Sequence, residues 1–204
     1  MEHSNNIVVE ERPNDTQPGD VSNCLKRYEN ASILCKNKMV LDFSSGYGFG
    51  TNLLREKGID VIGVEPYKEV IAKARIKFPK CNFMCKDPRD IDFSMFDIVT
   101  CMEVIEHLEE YQLNKLLETF SKNIDEVVAS TPDGNFFKYK PKTKAERRGY
   151  HVCHYTYSEL ETMFKKYYNN VMVCGIAFDS NPKVNRYTGH FIYATGKKNG
   201  PRVK

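Results

Sequence analysis

Glu103, Glu106 and His107 put two carboxylates and an imidazole into the short run Glu103-Val104-Ile105-Glu106-His107. If the run is helical, these positions are i, i+3 and i+4, and all three side chains share one face. Oxygen and imidazole donors with open positions suit Mg²⁺ or Mn²⁺. A cation held there can take both hydroxyls of a vicinal diol, lower the pKa of one and orient it toward an electrophile. Without a cation, His107 can take a hydroxyl proton directly, as a base that titrates near neutrality. The plain alternative is a histidine that only packs.

A second constellation lies upstream. Met39 to Phe43 reads as a short apolar strand carrying Asp42, and Ser44-Ser45-Gly46-Tyr47-Gly48-Phe49-Gly50 follows before a helix that starts near Thr51. The glycines let the backbone turn and approach a ligand without a Cβ in the way. A strand, a glycine loop and a helix N-terminus form a nucleotide-type pocket at the carboxyl edge of a parallel sheet, or else an ordinary strand-loop-helix corner. The loop lacks the Gly-Lys-Ser/Thr ending of a phosphate loop, and its spacing misses G-x-G-x-x-G. An acid before the glycines suits a ligand with a cationic end.

The elements that must position these residues alternate. Val61-Ile62-Gly63-Val64 is a second buried strand and ends in Glu65-Pro66, about 20 residues after Asp42, where an acid accepts hydrogen bonds from ribose hydroxyls. A helix over 67–78 presents Val70, Ile71, Ala74 and Ile76, Gly58 stops the helix before it, and 82–84 is a third strand. Strands follow at 96–102, 125–130, 171–176 and 190–195, with helices at 111–122 and 157–167, the latter capped by Thr156 or Ser158. Strands and helices in alternation predict an α/β sheet with helices on both faces.

The run Val40-Leu41-Asp42-Phe43-Ser44-Ser45-Gly46-Tyr47-Gly48 resembles motif I of the class I S-adenosylmethionine (SAM)-dependent methyltransferases, with Ser44-Ser45 where many members carry Gly-Cys or Gly-Thr. Val99 to Leu108 looks like the corresponding run of ubiquinone-pathway O-methyltransferases. It also resembles the block of enzymes that methylate the 2′-hydroxyl at the 3′ end of small RNAs. Arg27-Tyr28, with Glu11-Arg12-Pro13 before it, resembles the N-terminal lid of glycan-pathway methyltransferases; a solvated helix with a core tyrosine is the other reading.

The resemblance implies a Rossmann-like, seven-stranded sheet, closed by an antiparallel hairpin, that binds SAM. It implies cofactor contacts from Tyr28, Asp42, Ser44, Gly46, Gly48, Glu65, Pro66, Asp87, Pro88 and Met102, with Asp87 on the adenine unless Asp87-Pro88 is only a turn. It implies a metal set of Glu103, Glu106, His107 and His154, and catalytic roles for Glu106, His107 and His154. Of His151 and His154, the second directly precedes Tyr155-Thr156 and is the better match. The expected domains are an arm or lid over 1–28, a methyltransferase domain over 29–196 and a basic tail over 197–204. The expected acceptor is a sugar or glycan hydroxyl, ahead of an RNA 2′-hydroxyl and a quinone-type phenol. A SAM-binding domain without catalysis is the alternative from another class.

Composition narrows the classes. The chain has 204 residues, 41% hydrophobic and 28% charged, with a formal charge of +3, which does not by itself argue for nucleic acid. No apolar run approaches the roughly 18 residues of a membrane span, and Met1-Glu2-His3-Ser4-Asn5-Asn6 lacks the features of a secretory signal, so a cytoplasmic protein is expected. Seven cysteines without framework spacing, Cys101 and Cys174 inside apolar runs, predict reduced, buried thiols. The run Lys138 to Arg148 holds six basic residues and one acid, and reads as a phosphate or glycan guide or as a solvated loop.

Overall fold

The computed structural model describes residues 18–134, 151–177 and 190–198. In chain order these form α1 (Pro18–Cys35), β1 (Val40–Phe43), α2 (Phe49–Glu56), β2 (Val61–Glu65), α3 (Lys68–Lys77), β3 (Asn82–Cys85), β4 (Ile98–Met102), α4 (Glu110–Asn123), β5 (Glu126–Pro132), α5 (Tyr157–Lys165), β6 (Asn170–Ala177) and β7 (His190–Lys197). The strands make one seven-stranded sheet in the order β3-β2-β1-β4-β5-β7-β6. The first five run parallel, and β7 is inserted antiparallel between β5 and β6. This is the expected Rossmann-like sheet with its closing hairpin.

Alternation along the strands builds a core on each face. Val40, Val61, Ile98 and Val128 face Tyr28, Ala31 and Cys35 of α1 and Leu54 of α2. Leu41, Phe43, Val64, Val99, Val127 and Ala129 face Leu113, Leu117 and Phe120 of α4 and Leu160 and Phe164 of α5. Burying a Leu, Val or Phe side chain contributes about 1.5–3 kcal/mol, so each face fixes its strand register firmly. A smaller cluster joins Ile71 and Ala74 of α3 to Phe83.

Helix ends follow local chemistry. Gly58 takes φ +74 just past α2 and donates its N–H to Arg55 O at 2.9 Å. Thr156 and Glu159 form a reciprocal capping box that starts α5, and Glu109 and Gln112 do the same for α4.

Two details differ from expectation. Ile76 is 82% exposed, because positions 71 and 74 define the buried stripe of α3 and 76 lies outside it. Cys174 is exposed on the edge strand β6, whereas Cys35 and Cys101 are buried; all seven cysteines are free thiols. Tyr28 sits within helix α1, in the layer that packs on the sheet. The arm before Pro18, the basic run at 138–148 and the tail beyond 198 lie outside the described residues. Among the described residues, no helix is long and apolar enough to cross a membrane.

Candidate active site at the β1–β4 crevice

Strand order reverses between β1, whose chain continues outward to β2 and β3, and β4, which starts the other half of the sheet. Ligands of open α/β sheets bind at the carboxyl ends of the strands at such a switch point. The register pairs Asp42 with Thr100, so the glycine loop leaving β1 and the acidic run leaving β4 emerge side by side.

The glycine loop is held from several directions. Gly46 and Gly48 adopt φ +53 and +80, and a Cβ on Gly48 would overlap the Phe83 ring. Ser44 also sits in the left-handed region, at φ +56, a conformation that glycine adopts more readily than serine. Glu65, at the end of β2, accepts the Gly46 N–H on Oε2 at 3.1 Å, which sets its carboxylate at the loop. Among the described residues, the Ser45 hydroxyl is buried without a hydrogen-bond partner. The glycine conformations, the placed acid and this hydroxyl fit a loop that wraps a polar ligand such as SAM.

Asp42, expected as a cofactor contact, is fully buried. Its Oδ1 accepts from the Tyr28 hydroxyl at 2.7 Å and from Thr100 at 2.9 Å, and its Oδ2 accepts from Thr51 at 2.6 Å. Three hydroxyls, from α1, β4 and α2, thus bond the carboxylate and anchor the root of the loop. Burial pushes its carboxyl above the ordinary value, while the bonds from Thr51, Tyr28 and Thr100 pull it back. Burial and the neighbouring Asp42 raise the Tyr28 phenol well above its usual range.

The remaining expected cofactor residues are dispersed around the same edge. Met102 ends β4 and is buried, and Pro66 is half-buried after Glu65. Asp87 caps the 3₁₀ turn Pro88–Asp90. It holds Arg89 by both carboxylate oxygens, at 2.7 and 2.8 Å. The bonds from the Arg89 side chain and backbone hold its carboxyl down at about 2. Adenine recognition by Asp87 therefore requires this exposed arginine to share or leave the carboxylate.

The acceptor side departs further from expectation. The run 103–107 is not one helical face. Glu103 takes φ +57, directly after β4, and only Ile105–His107 close a 3₁₀ turn. The kink sends Glu103 away from its two partners: Oε1 accepts from Ser130 at 2.9 Å and lies 3.6 Å from Arg27 Nε. Glu106, His107 and His151 are the residues that converge, with one candidate ligand atom from each lying within 4.8 Å of the others. Among the described residues, His151 joins this group, while His154 and Glu103, also expected as ligands, are not part of it.

Local bonds explain the convergence. Glu106 is 1% exposed, and its Oε2 accepts from Thr131 at 3.2 Å. Its Oε1 lies 3.8 Å from His107 Nε2. The carbonyl oxygen of Glu106 receives the N–H groups of Val152 and Cys153, at 2.7 and 3.2 Å, which docks the histidine segment onto the same turn. Gly134 N donates to Tyr155 O at 2.9 Å and fastens that segment to the β5 exit. His154 lies behind His151, their ring nitrogens 2.7 Å apart. Burial, then the neighbouring His151 and His107, lower the His154 imidazole to about 4, so it is neutral at physiological pH. One carboxylate and two imidazoles suit a transition metal such as Mn²⁺ better than Mg²⁺, which prefers an all-oxygen shell.

Sequence reasoning passed over Thr51, Thr100, Ser130, Thr131 and Asp133. Each is a buried polar residue. For Thr100, Ser130 and Thr131, a hydroxyl inside an otherwise apolar strand, as in Ile98-Val99-Thr100-Cys101-Met102, is the signal that marks them.

This sheet order and its switch-point crevice define the Rossmann-like fold of SAM-dependent methyltransferases. Residues 40–125 match the family described as "Methyltransferase domain". A ubiquinone biosynthesis O-methyltransferase of Coxiella burnetii is 31% identical over 120 residues, which cover 55% of this chain and 51% of that protein. The chain thus spans about half the length of this curated relative. Among solved structures, a SAM-dependent methyltransferase from Archaeoglobus fulgidus superposes with a TM-score of 0.66 at 20% identity, covering 87% of this chain and 94% of that one. Magnesium protoporphyrin IX methyltransferase from Synechocystis, solved with bound SAM, superposes with a TM-score of 0.63 at 14% identity, covering 92% and 86%.

Proposed function

We propose that this chain is a SAM-dependent O-methyltransferase that places the methyl donor over the glycine loop and methylates a hydroxyl of a sugar or glycan. The observation that carries this reading is the group of buried Glu106 and His107 with half-buried His151 at the carboxyl edge of β4, beside the loop from β1. A protein that only bound SAM has no use for such a group on the acceptor side.

SAM supplies a methyl on a sulfonium, already strongly electrophilic, so positioning the acceptor in line provides much of the rate. Glu65 and the backbone of Ser44 to Gly48 would hold the donor, with Asp42 keeping the loop in shape from beneath. Glu106, His107 and His151 would hold a divalent cation, which supplies Lewis acidity to an acceptor diol. Without a cation, His107, buried against Glu106, would instead take the hydroxyl proton itself.

The sugar or glycan acceptor is supported by the resemblance of Arg27-Tyr28 to the N-terminal lid of glycan-pathway methyltransferases. At the exit of β5, Ser130 and Thr131 bond Glu103 and Glu106 and so hold these two carboxylates in place. The ubiquinone biosynthesis relative supports O-methylation as the reaction type, and its shared length does not extend to an acceptor. The RNA 2′-hydroxyl is the second reading, because a terminal ribose offers the same vicinal diol.

The test is transfer of a labelled methyl group from SAM to two acceptor pools, oligosaccharides and short RNAs, each with Mn²⁺ or with EDTA. Label in oligosaccharide that EDTA abolishes and Mn²⁺ restores is the expected result. Transfer that survives EDTA assigns the chemistry to His107 without a cation. Label in RNA promotes the second reading. Binding of SAM without label in either pool reduces the chain to a SAM-binding domain.

A further inference from the structure

We propose that His154 is a positioning residue for His151: it accepts a hydrogen bond from His151 Nδ1–H and thereby directs His151 Nε2 into the Glu106–His107 group. This inference rests on the metal reading above and refines which histidine does what.

His151 Nδ1 and His154 Nε2 lie 2.7 Å apart, with the rings edge to face at 4.9 Å between centroids and 68° between planes. Two ring nitrogens at that separation share one proton, so one donates and the other accepts. The same Nδ1 cannot also serve as a ligand. The nitrogen that His151 offers an ion is then Nε2, which must carry no proton. In that tautomer the proton is on Nδ1, and His154 Nε2 is the acceptor.

The surroundings fix this arrangement. The segment is bonded at Val152 and Cys153 to the carbonyl of Glu106, and at Tyr155 to Gly134. The backbone bearing His151 is therefore tied to the very residue whose carboxylate faces it. His154 is only 5% exposed, so its ring is held by packing. A ligating histidine commonly donates its other N–H to a carboxylate or carbonyl. An imidazole in that place fixes the tautomer without adding negative charge next to Glu106.

The test separates this role from direct ligation and from the metal reading itself. Three variants are compared: His154→Gln, whose amide oxygen can replace Nε2 as acceptor, His154→Leu, which cannot accept, and His151→Ala. Thermal unfolding establishes that each is folded. Mn²⁺ binding is followed by the spin-resonance signal of free ion. Long-range ¹H–¹⁵N spectra of the imidazoles report the His151 tautomer in the metal-free protein.

Wild type and His154→Gln should bind Mn²⁺ within a few-fold of each other. His154→Leu should bind about 10–100-fold more weakly, the usual effect of losing a ligand's supporting partner. His151→Ala should lose the site. The spectra should show His151 protonated at Nδ1 in wild type and His154→Gln, and a tautomer mixture in His154→Leu. Equal binding by His154→Leu and wild type overturns the proposal, as does a wild-type His151 protonated at Nε2. Equal weakness of His154→Gln and His154→Leu also overturns it and makes His154 a ligand. Failure of wild type to bind Mn²⁺ removes the metal reading, and the tautomer spectra then decide the positioning role alone.

Discussion

The Tyr28 hydroxyl donates to Asp42 Oδ1 at 2.7 Å across 14 residues of sequence, joining α1 to the root of the glycine loop. The Tyr28 ring also lies against Gly50, where a Cβ would overlap it. One side chain from the first helix therefore holds both ends of the loop. A hydrogen bond to a charged group contributes about 1.5–3 kcal/mol, so Tyr28→Phe should destabilise the fold by about that amount in urea unfolding. It should also weaken SAM binding by loosening the loop. If Phe leaves both quantities unchanged, Tyr28 is merely packed and the loop is held from elsewhere.

Asp42 should leave a signature in the pH dependence of stability. Burial raises its folded-state pKa above the ordinary 3.8, so in the window that opens at 3.8 and runs up to the raised value, the folded protein binds more protons at this site than the unfolded chain. Stability from Asp42 is therefore present at the acid end of that window and lost as pH rises through it. Asp42→Asn keeps an acceptor for Tyr28 and Thr100 and removes the ionisation, so the slope in this window should flatten. Asp42→Ala strands three buried hydroxyls and should cost about 3–5 kcal/mol. An unchanged slope in Asp42→Asn removes the carboxylate from the account.

Ser44 and Gly48 make opposite predictions from the same backbone region. A left-handed conformation costs a non-glycine residue roughly 1–2 kcal/mol, while glycine loses about 0.5–1 kcal/mol more entropy on folding. Ser44→Gly, at φ +56, should thus stabilise by about 0.5–1 kcal/mol. Gly48→Ala combines φ +80 with overlap on Phe83 and should destabilise by about 2–3 kcal/mol. Denaturant midpoints for the pair check both, and a destabilised Ser44→Gly means the serine side chain does something its strain conceals.

Most of the fold was legible because hydrophobic period and turn residues are local signals. The apolar run at 40–43, the run at 61–64 and Gly58 each announce an element without knowledge of its neighbours. The place of Glu65 at the end of the second strand was legible too. The acceptor group was not, for two reasons. The backbone of Glu103 turns left-handed after β4, and nothing in Glu-Val-Ile-Glu-His advertises a positive φ at a glutamate. The choice between His151 and His154 depends on Val152 and Cys153 docking on the Glu106 carbonyl, a tertiary contact between distant segments. The three hydroxyl partners of Asp42 were not legible either, because they are spread over residues 28, 51 and 100.

Glu106 should divide catalysis from cofactor binding. Its carboxylate belongs to the acceptor group, and the Glu106 carbonyl that docks the histidine segment is untouched by side-chain substitution. Glu106→Ala should abolish methyl transfer while the SAM dissociation constant, read by calorimetry, stays within a few-fold. A parallel loss of SAM affinity places Glu106 on the cofactor side and dissolves the acceptor role.

Arg27 and Glu103 provide the last test. Their side chains are 7% and 12% exposed and approach to 3.6 Å, with Ser130 donating to the same carboxylate oxygen. Breaking a buried pair by removing one partner leaves the other charge without compensation and costs about 3–5 kcal/mol. Arg27→Met should fall in that range. Glu103→Gln keeps an acceptor for Ser130 and discharges the carboxylate, so adding it to Arg27→Met should recover part of the loss. The double-mutant cycle should then show a coupling of about 1–3 kcal/mol, the range for residues in contact. Strict additivity would mean that Arg27 acts through packing on α1, and that Ser130 together with the backbone bond from Glu103 N to Ser130 O, at 3.0 Å, is enough to hold Glu103 out of the Glu106–His107–His151 group.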